Sequence, residues 1–164
     1  MDIGDKQDCQ ANILRISELL GSGIFGAPNS GHVLQQSAFI DLIICLRDLL
    51  HKVERYTSRV AFTDDVLVNE YVKDVTGAVT AVRDACCHID SFKRLFDDRG
   101  NRGSSNVAYG KCRFMKIDDL ELNSDYDDDI AVFYGPNRLY FRRHIVRAFE
   151  EAQSKLAPHL ASHA

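Results

Sequence analysis

The hydrophobic pattern predicts a long amphipathic helix in the middle of the chain, from Thr63 to Ser91. Thr63 is a suitable capping residue, and Asp64 and Asp65 follow it at the positive end of the helix dipole. Apolar residues recur at three- and four-residue intervals, which places them on one face of a helix. They are Val75, Ala78, Val82, Cys86 and Ile89. We therefore expect one face of a helix over residues 64–91 to lie in the core.

The opposite face of this helix is small and weakly polar, with few of the lysines and glutamates that mark a solvated surface. Gly77 lies within it, and a glycine inside a helix costs roughly 1 kcal/mol relative to alanine. A close neighbour is therefore expected, from another segment or from a second copy of the chain. If it is a second copy, the contact is isologous, and we predict a homodimer through helix 64–91. The face comprises Thr76, Gly77, Thr80, Ala81, Arg83, Asp84, Cys87 and His88.

The segments before this helix also predict helices. Residues 8–20 place five apolar side chains on one side of a short helix that ends at Gly21. Residues 32–59 predict a long helix that Asn29 or Ser30 can cap, and its middle is apolar nearly all round, as in the central helix of a bundle. Gly21–Gly26 matches a dinucleotide-binding pattern, but a helix precedes it where that motif requires a strand, so we expect an ordinary loop.

After residue 96 the periodicity changes to that of strands. Residues 97–105 are polar and contain glycine, which predicts a mobile loop. Residues 107–117 predict a strand, and two apolar segments, 130–134 and 138–141, predict a hairpin around Gly135–Asn137. The expected fold is mainly α, a helical bundle with a small antiparallel sheet near its C-terminal end. We expect a single domain, 1–164. It consists of a helical core (8–96), the loop (97–105), a β-hairpin region (106–141) and a closing helix (142–156).

Composition narrows the possible functions. The chain has 164 residues, is 45% hydrophobic and 27% charged, and its net charge of −4 gives no general attraction to nucleic acid or to membranes. Its five cysteines are scattered and form no CxxC pair, which predicts neither a zinc site nor a disulfide framework. The polar N-terminus is unlike a signal peptide. We expect a cytoplasmic protein with no cofactor, no metal and no membrane association.

Two charged clusters lie near the C-terminal end. The acidic run 125–129 lacks the spacing of an EF-hand calcium loop, so an acidic turn before a strand is expected. The only basic concentration consists of Arg138, Arg142, Arg143, His144 and Arg147. They would either bind a phosphate backbone or neutralise the acidic turn, and we favour the second role.

The pattern Arg83-Asp84-x3-His88 carries the most chemistry. It has the form Arg-x4-His, lies near the end of a long helix on a face of small residues, and follows a second hydrophobic helix. Over residues 32–96 this combination resembles the HEPN superfamily of helical bundles, many of which are metal-independent ribonucleases of toxin and phage-defence systems. The resemblance implies that His88 is the catalytic histidine, that Arg83 binds the phosphate and that Asp84 orients both. It further implies a homodimer with a shared groove, RNA as substrate and an antitoxin or other protein as partner.

General chemistry agrees with these roles. RNA is cleaved without metal when a base activates the 2′-hydroxyl group and a cation stabilises the pentacoordinate phosphorane. Imidazole titrates near the required pH, and a guanidinium group fits phosphate oxygens bidentately. Asp84 replaces the asparagine often found in the family, and the sheet-forming segment is not part of its common core. The alternative is a non-catalytic HEPN-like binding or assembly module, in which Arg83, Asp84 and His88 have structural roles.

Overall fold

The second helix forms the centre of the molecule. A computed structural model describes residues 1–88, 90–96, 100–117 and 120–161, and within them confirms a mainly α fold with a small antiparallel β component. The α-helices are α1 (Ile3–Gly21), α2 (Gln35–Tyr56), α3 (Val75–Cys87) and α4 (Arg147–Ala161). The strands are β1 (Ser105–Tyr109), β2 (Cys112–Ile117), β3 (Leu120–Ser124), β4 (Ile130–Tyr134) and β5 (Asn137–Tyr140).

Helix α2 buries one broad face and packs against α1, α3 and α4. Two charged residues on this helix, Asp41 and Lys52, are paired with residues of opposite charge. Asp41, within the apolar run, accepts a hydrogen bond from Arg15 Nε at 2.7 Å. The buried Lys52 ammonium group lies 3.0 Å from Asp8 and 2.9 Å from Asp48. Because burial of an unpaired charge is costly, these pairs allow α2 to remain central.

The first two helices differ from prediction at their N-termini. Helix α1 begins five residues early, at Ile3, because the Asp2 side chain accepts the Asp5 N–H at 2.8 Å and caps it. Helix α2 begins at Gln35 without a side-chain cap. Asn29, predicted as a cap, belongs to a 3-10 turn and donates its side-chain amide to the Gly23 carbonyl at 2.9 Å. The glycine-rich segment is thus a loop between helices.

The prediction of a helix from Thr63 to Ser91 is wrong at both ends, because α3 extends only from Val75 to Cys87. Ile89, which was predicted to face the core, lies outside the described residues. Asp64 and Asp65 make tertiary contacts instead: Asp64 pairs with Arg147 at 3.0 Å, and Asp65 accepts the Tyr126 hydroxyl at 2.7 Å. Asp65 also adopts a left-handed backbone with φ of 58°. Long-range contacts therefore hold this segment out of the helix.

The sheet also departs from prediction at one turn. Strands β1, β4 and β5 form an antiparallel sheet in the order β1-β4-β5, and β2 pairs with β3 in a separate hairpin. The single strand predicted over 107–117 is two strands, because Gly110 turns the chain with φ of 75°. The predicted hairpin is confirmed: Tyr134 pairs with Asn137 across a Gly135-Pro136 turn.

The C-terminal end of the predicted mobile loop 97–105 packs against the β4–β5 turn. Residues 97–99 lie outside the described residues, and residue 105 already belongs to β1. The Gly103 N–H donates to the Arg94 carbonyl at 2.8 Å, and Gly103 is buried. A Cβ atom at Gly103 would lie 2.4 Å from Gly135 Cα, so only glycine fits this approach of the loop to the β4–β5 turn.

The closing helix starts five residues later than predicted, after a π-helical turn, Phe141–Val146. The buried Asp129 carboxylate holds this turn by accepting the N–H groups of Arg142 at 2.9 Å and of Arg143 at 3.1 Å. Among the residues described, no helix combines the length and the apolar composition that crossing a bilayer requires.

His144 makes the stability of this junction depend on pH. Its fully buried ring accepts the Tyr140 N–H at Nδ1, 3.1 Å away, and its Nε2 lies 3.0 Å from the Asp64 carbonyl oxygen. The neutral ring with its proton on Nε2 satisfies both contacts, and burial lowers the pKa of His144 from its ordinary value.

We predict that the free energy of unfolding falls as pH falls below about 6.5, the ordinary histidine pKa. The unfolded chain then binds a proton that the folded chain excludes, so this contribution is present above that pH and lost below it. Urea titrations between pH 7.5 and 5 measure it, and the slope is expected to be smaller in His144→Gln. An equal slope in both proteins would contradict the assignment.

Candidate active site

The predicted site residues lie at the C-terminal end of α3. Asp74 fixes the other end of this helix: its carboxylate accepts the Gly77 N–H at 2.8 Å and binds Arg59 through Nε at 2.7 Å and Nη2 at 3.0 Å. Arg83 and Asp84 belong to the last turn and a half of the helix, and His88 is the residue that ends it. The His88 N–H donates to the Asp84 carbonyl at 3.1 Å, which is the last hydrogen bond of the helix.

The structure brings Arg83, Asp84 and His88 together. Arg83 Nη1 lies 3.1 Å from Asp84 Oδ1 and 3.3 Å from His88 Nε2. Both contacts use the same nitrogen, and Arg83 Nε and Nη2 make no hydrogen bond to the described part of the chain. The guanidinium group therefore keeps a free edge of N–H donors, while its other edge is held against the histidine.

Lys93 is a fourth member of this cluster and is absent from the predicted site residues. Its ammonium group contacts Asp84 Oδ2 at 2.5 Å, so Asp84 joins the two cations. Lys93 belongs to a 3-10 turn, Phe92–Arg94, after the end of α3. The adjacent basic residues Lys93 and Arg94 were only a weak indication of this contact. Lys93 reaches Asp84 because the chain turns back after α3 and passes beside it.

Asp84 remains ionised in this arrangement. Burial alone would raise its pKa, but hydrogen bonds from Lys93 and Arg83 and their positive charges outweigh burial, so the pKa of Asp84 is lowered. The carboxylate can therefore orient Arg83 across the neutral pH range. The neighbouring Cys86 thiol is unsuited to nucleophilic attack, since burial and the adjacent Cys87 raise its pKa to about 12.

The cluster opens into a cleft of about 600 Å³. His88 is exposed at this cleft, whereas the Arg83 and Asp84 side chains are 31% and 26% exposed. A ligand in the cleft would contact His88, Asp84 and Lys93 directly, whereas Arg83 lies behind them and does not line the cleft. The cleft is lined by Tyr71, Asp84, His88, Asp90, Ser91, Phe92 and Lys93.

On the second face of α3, the close neighbour of Gly77 is the preceding segment of the same chain. A Cβ atom at Gly77 would lie 3.5 Å from both Val72 Cα and Asp74 Oδ1. The neighbour that Gly77 predicted is therefore the preceding segment of the same chain, and this glycine gives no support for a second copy. The homodimer through α3 stays a prediction.

The space at Gly77 gives a direct prediction. A contact of 3.5 Å is ordinary van der Waals packing, and Gly77 has no left-handed backbone, so Gly77→Ala fits. We expect this substitution to raise the free energy of unfolding by about 0.5–1 kcal/mol through lower entropy of the unfolded chain and better helix propensity. Urea denaturation measures it, and a loss of more than about 1 kcal/mol would contradict the described packing.

The C-terminal arginines form no comparable site. The interpretation that they neutralise the acidic turn is confirmed for Arg138 and Arg143. Arg138 lies 2.7 Å from Asp125, and Arg143 lies 3.0 Å from both Asp128 and Asp129. Arg147 is paired with Asp64. Arg142 is exposed and, of the four arginines, is the one that makes no ion pair with a described residue.

No group of three or more His, Cys, Asp or Glu side chains within the described ranges is arranged to hold a metal ion. Comparison of the chain with protein-family models, with curated proteins and with solved structures finds no match.

Proposed function

We propose that this chain is a HEPN-like, metal-independent ribonuclease of the toxin or defence type, with His88 as general base and Arg83 as phosphate ligand. The observation that carries the proposal is the 3.3 Å contact between Arg83 Nη1 and His88 Nε2 beside an open cleft. The homodimer with a shared groove, and an antitoxin or other protein partner, belong to the same proposal through the resemblance.

The reaction assigns one task to each side chain. His88 removes the proton of a ribose 2′-hydroxyl, the 2′-oxygen attacks the adjacent phosphorus, and the bond from phosphorus to the 5′-oxygen breaks. The products are a 2′,3′-cyclic phosphate and a 5′-hydroxyl group, which receives a proton from the imidazolium. The free N–H edge of Arg83 binds the phosphate oxygens as negative charge builds on them. Asp84 holds Arg83 in place.

A non-catalytic binding or assembly module is the second candidate. It is favoured by the network in which Asp84 binds both Arg83 and Lys93, because such a network also fixes the Phe92–Arg94 turn against α3. In this alternative the exposed His88 ring has no chemical task.

An RNA-cleavage assay of the purified chain with EDTA present separates the two candidates. The proposal predicts that the wild-type chain cuts RNA and that His88→Ala does not. Absence of cleavage by the wild type, or equal cleavage by His88→Ala, would favour the non-catalytic module.

A further inference from the structure

The chain exposes two aromatic rings at the candidate active site. Tyr71 is 67% exposed and Phe92 is 58% exposed, whereas each of the other thirteen phenylalanines and tyrosines is at least partly buried. The centres of the two rings lie 5.7 Å apart in an edge-to-face arrangement. Both line the cleft that contains His88.

The backbone under each ring is fixed by local hydrogen bonds. The Asn69 side-chain oxygen accepts the N–H groups of Tyr71 at 2.8 Å and of Val72 at 2.9 Å. Phe92 begins the 3-10 turn, which the Ser91 side chain caps through the Lys93 N–H at 3.3 Å. The backbone that carries the rings is therefore held in place before any ligand arrives, which reduces the entropy cost of binding.

The aromatic pair lies in the middle of a longer groove. Two cavities of about 300 and 160 Å³ adjoin the active-site cleft, and Tyr71 and Lys93 line all three. The larger one continues along the first half of α3 to α2 and the residues that follow it, where it is lined by Arg47, His51, Glu54 and Arg59. The groove thus runs from His88, past the two rings, to an end at which three basic residues outnumber one acidic residue.

The two ends of this groove differ in how far their charged side chains are paired. Arg59 is paired with Glu54 and Asp74, but Arg47 and His51 make no ion pair with any described residue. The acidic groups of the cleft are already paired with cations: Asp84 with Arg83 and Lys93, and Asp90 with Arg102. An anionic ligand is therefore attracted to the Arg47 end and is not strongly repelled at the His88 end.

We propose that this groove selects single-stranded RNA by stacking an unpaired base against Tyr71 and Phe92 while Arg47 and His51 hold the neighbouring phosphates. Exposed aromatic rings beside a basic groove are suited to single strands, because the bases of a duplex are stacked on one another and cannot reach the rings. The choice of RNA over DNA rests on the proposed ribonuclease function.

Binding is best measured in the His88→Ala background, which separates affinity from cleavage. The probe is a fluorescein-labelled oligoadenylate RNA of about 12 nucleotides. Its binding is measured by fluorescence anisotropy with EDTA present. Added Tyr71→Ala or Phe92→Ala is expected to weaken binding about tenfold. Tyr71→Phe keeps the ring and should bind like its parent, as should Val33→Ala, which truncates an exposed apolar side chain outside the groove. A duplex of the same length should bind at least about tenfold more weakly.

Arg47 is tested through the salt dependence. Arg47→Ala should reduce the slope of log Kd against log salt by about 0.7, the value for one phosphate contact on a single strand. Arg55→Ala is the matched control, because Arg55 lies on the same helix but binds Asp5. Its slope should equal that of the parent.

The outcomes separate this inference from the proposed function. Unchanged affinity in both Tyr71→Ala and Phe92→Ala, or equal binding of duplex and single strand, would overturn the inference even if the wild type cuts RNA. Stacking-dependent binding without cleavage by the wild type would support the groove and remove the ribonuclease. No binding of the oligonucleotide at all would overturn both.

Discussion

Replacement of Asp129 by alanine is expected to lower the free energy of unfolding by about 3 kcal/mol or more, because several donors lose their buried acceptor at about 1–3 kcal/mol each. The Asp129 side chain is completely buried and accepts four hydrogen bonds. Three come from backbone N–H groups, of Ile130 at 2.8 Å, Arg142 at 2.9 Å and Arg143 at 3.1 Å, and one from the Arg143 guanidinium group at 3.0 Å. Alanine leaves these donors without an acceptor at the junction of the sheet and α4.

Asp128→Ala is the matched control for this prediction. Asp128 is the preceding residue, is 64% exposed and makes one ion pair with Arg143 at 3.0 Å. Exposed ion pairs contribute little, so we expect a loss below about 1 kcal/mol. Urea denaturation of both variants gives the comparison. Equal losses, or a stable Asp129→Ala protein, would show that the buried carboxylate does not hold this junction.

The second large effect concerns catalysis. Because general-base catalysis contributes about 10²- to 10⁴-fold, His88→Ala should lower the RNA-cleavage rate by that factor. Arg83→Lys should cut RNA as slowly as Arg83→Ala and should not recover the wild-type rate. The reason is that an ammonium group lacks the planar pair of donors that binds two phosphate oxygens. Single-turnover cleavage rates with EDTA present measure both effects.

Two controls distinguish chemistry from folding in that experiment. His32→Ala removes another exposed histidine and should leave the rate unchanged. Circular dichroism should show the same helix content in all variants, because His88 is exposed and Arg83 is partly exposed. Equal losses in His32→Ala and His88→Ala would contradict the assigned role of His88.

The parts of the fold that were predicted correctly depend on local sequence. The apolar run in α2 indicates a central helix because it is hydrophobic on nearly every side. The β4–β5 hairpin follows from two apolar segments around Gly135-Pro136, where the backbone needs a positive φ. In both cases neighbouring residues contain the required information.

The helix predicted from Thr63 failed for the opposite reason. Asp64 and Asp65 look like first-turn residues, but their partners, Arg147 and Tyr126, are 83 and 61 positions away. The true cap, Asp74, gains a bidentate ion pair with Arg59 in addition to the helix N–H. Local propensity cannot rank these alternatives, because tertiary contacts decide between them.

The site could be predicted in part. The spacing of Arg83, Asp84 and His88 was sufficient to expect them together, since four to five residues span little more than one helical turn. Lys93 and Tyr71 could not be found in this way, because each reaches the site through the course of a loop. The expectation of a neighbour at Gly77 was sound, but periodicity alone could not show that the neighbour is Val72 of the same chain.

The most direct test of the proposed mechanism compares two RNA substrates that differ at one oxygen. The wild-type chain is incubated with EDTA and an RNA oligonucleotide, and in parallel with the same oligonucleotide methylated at every 2′-oxygen. If His88 activates the 2′-hydroxyl, only the unmodified RNA is cut, and its products carry 2′,3′-cyclic phosphate and 5′-hydroxyl ends. Cleavage of the methylated substrate, or products with 3′-hydroxyl ends, would contradict the roles assigned to His88 and Arg83.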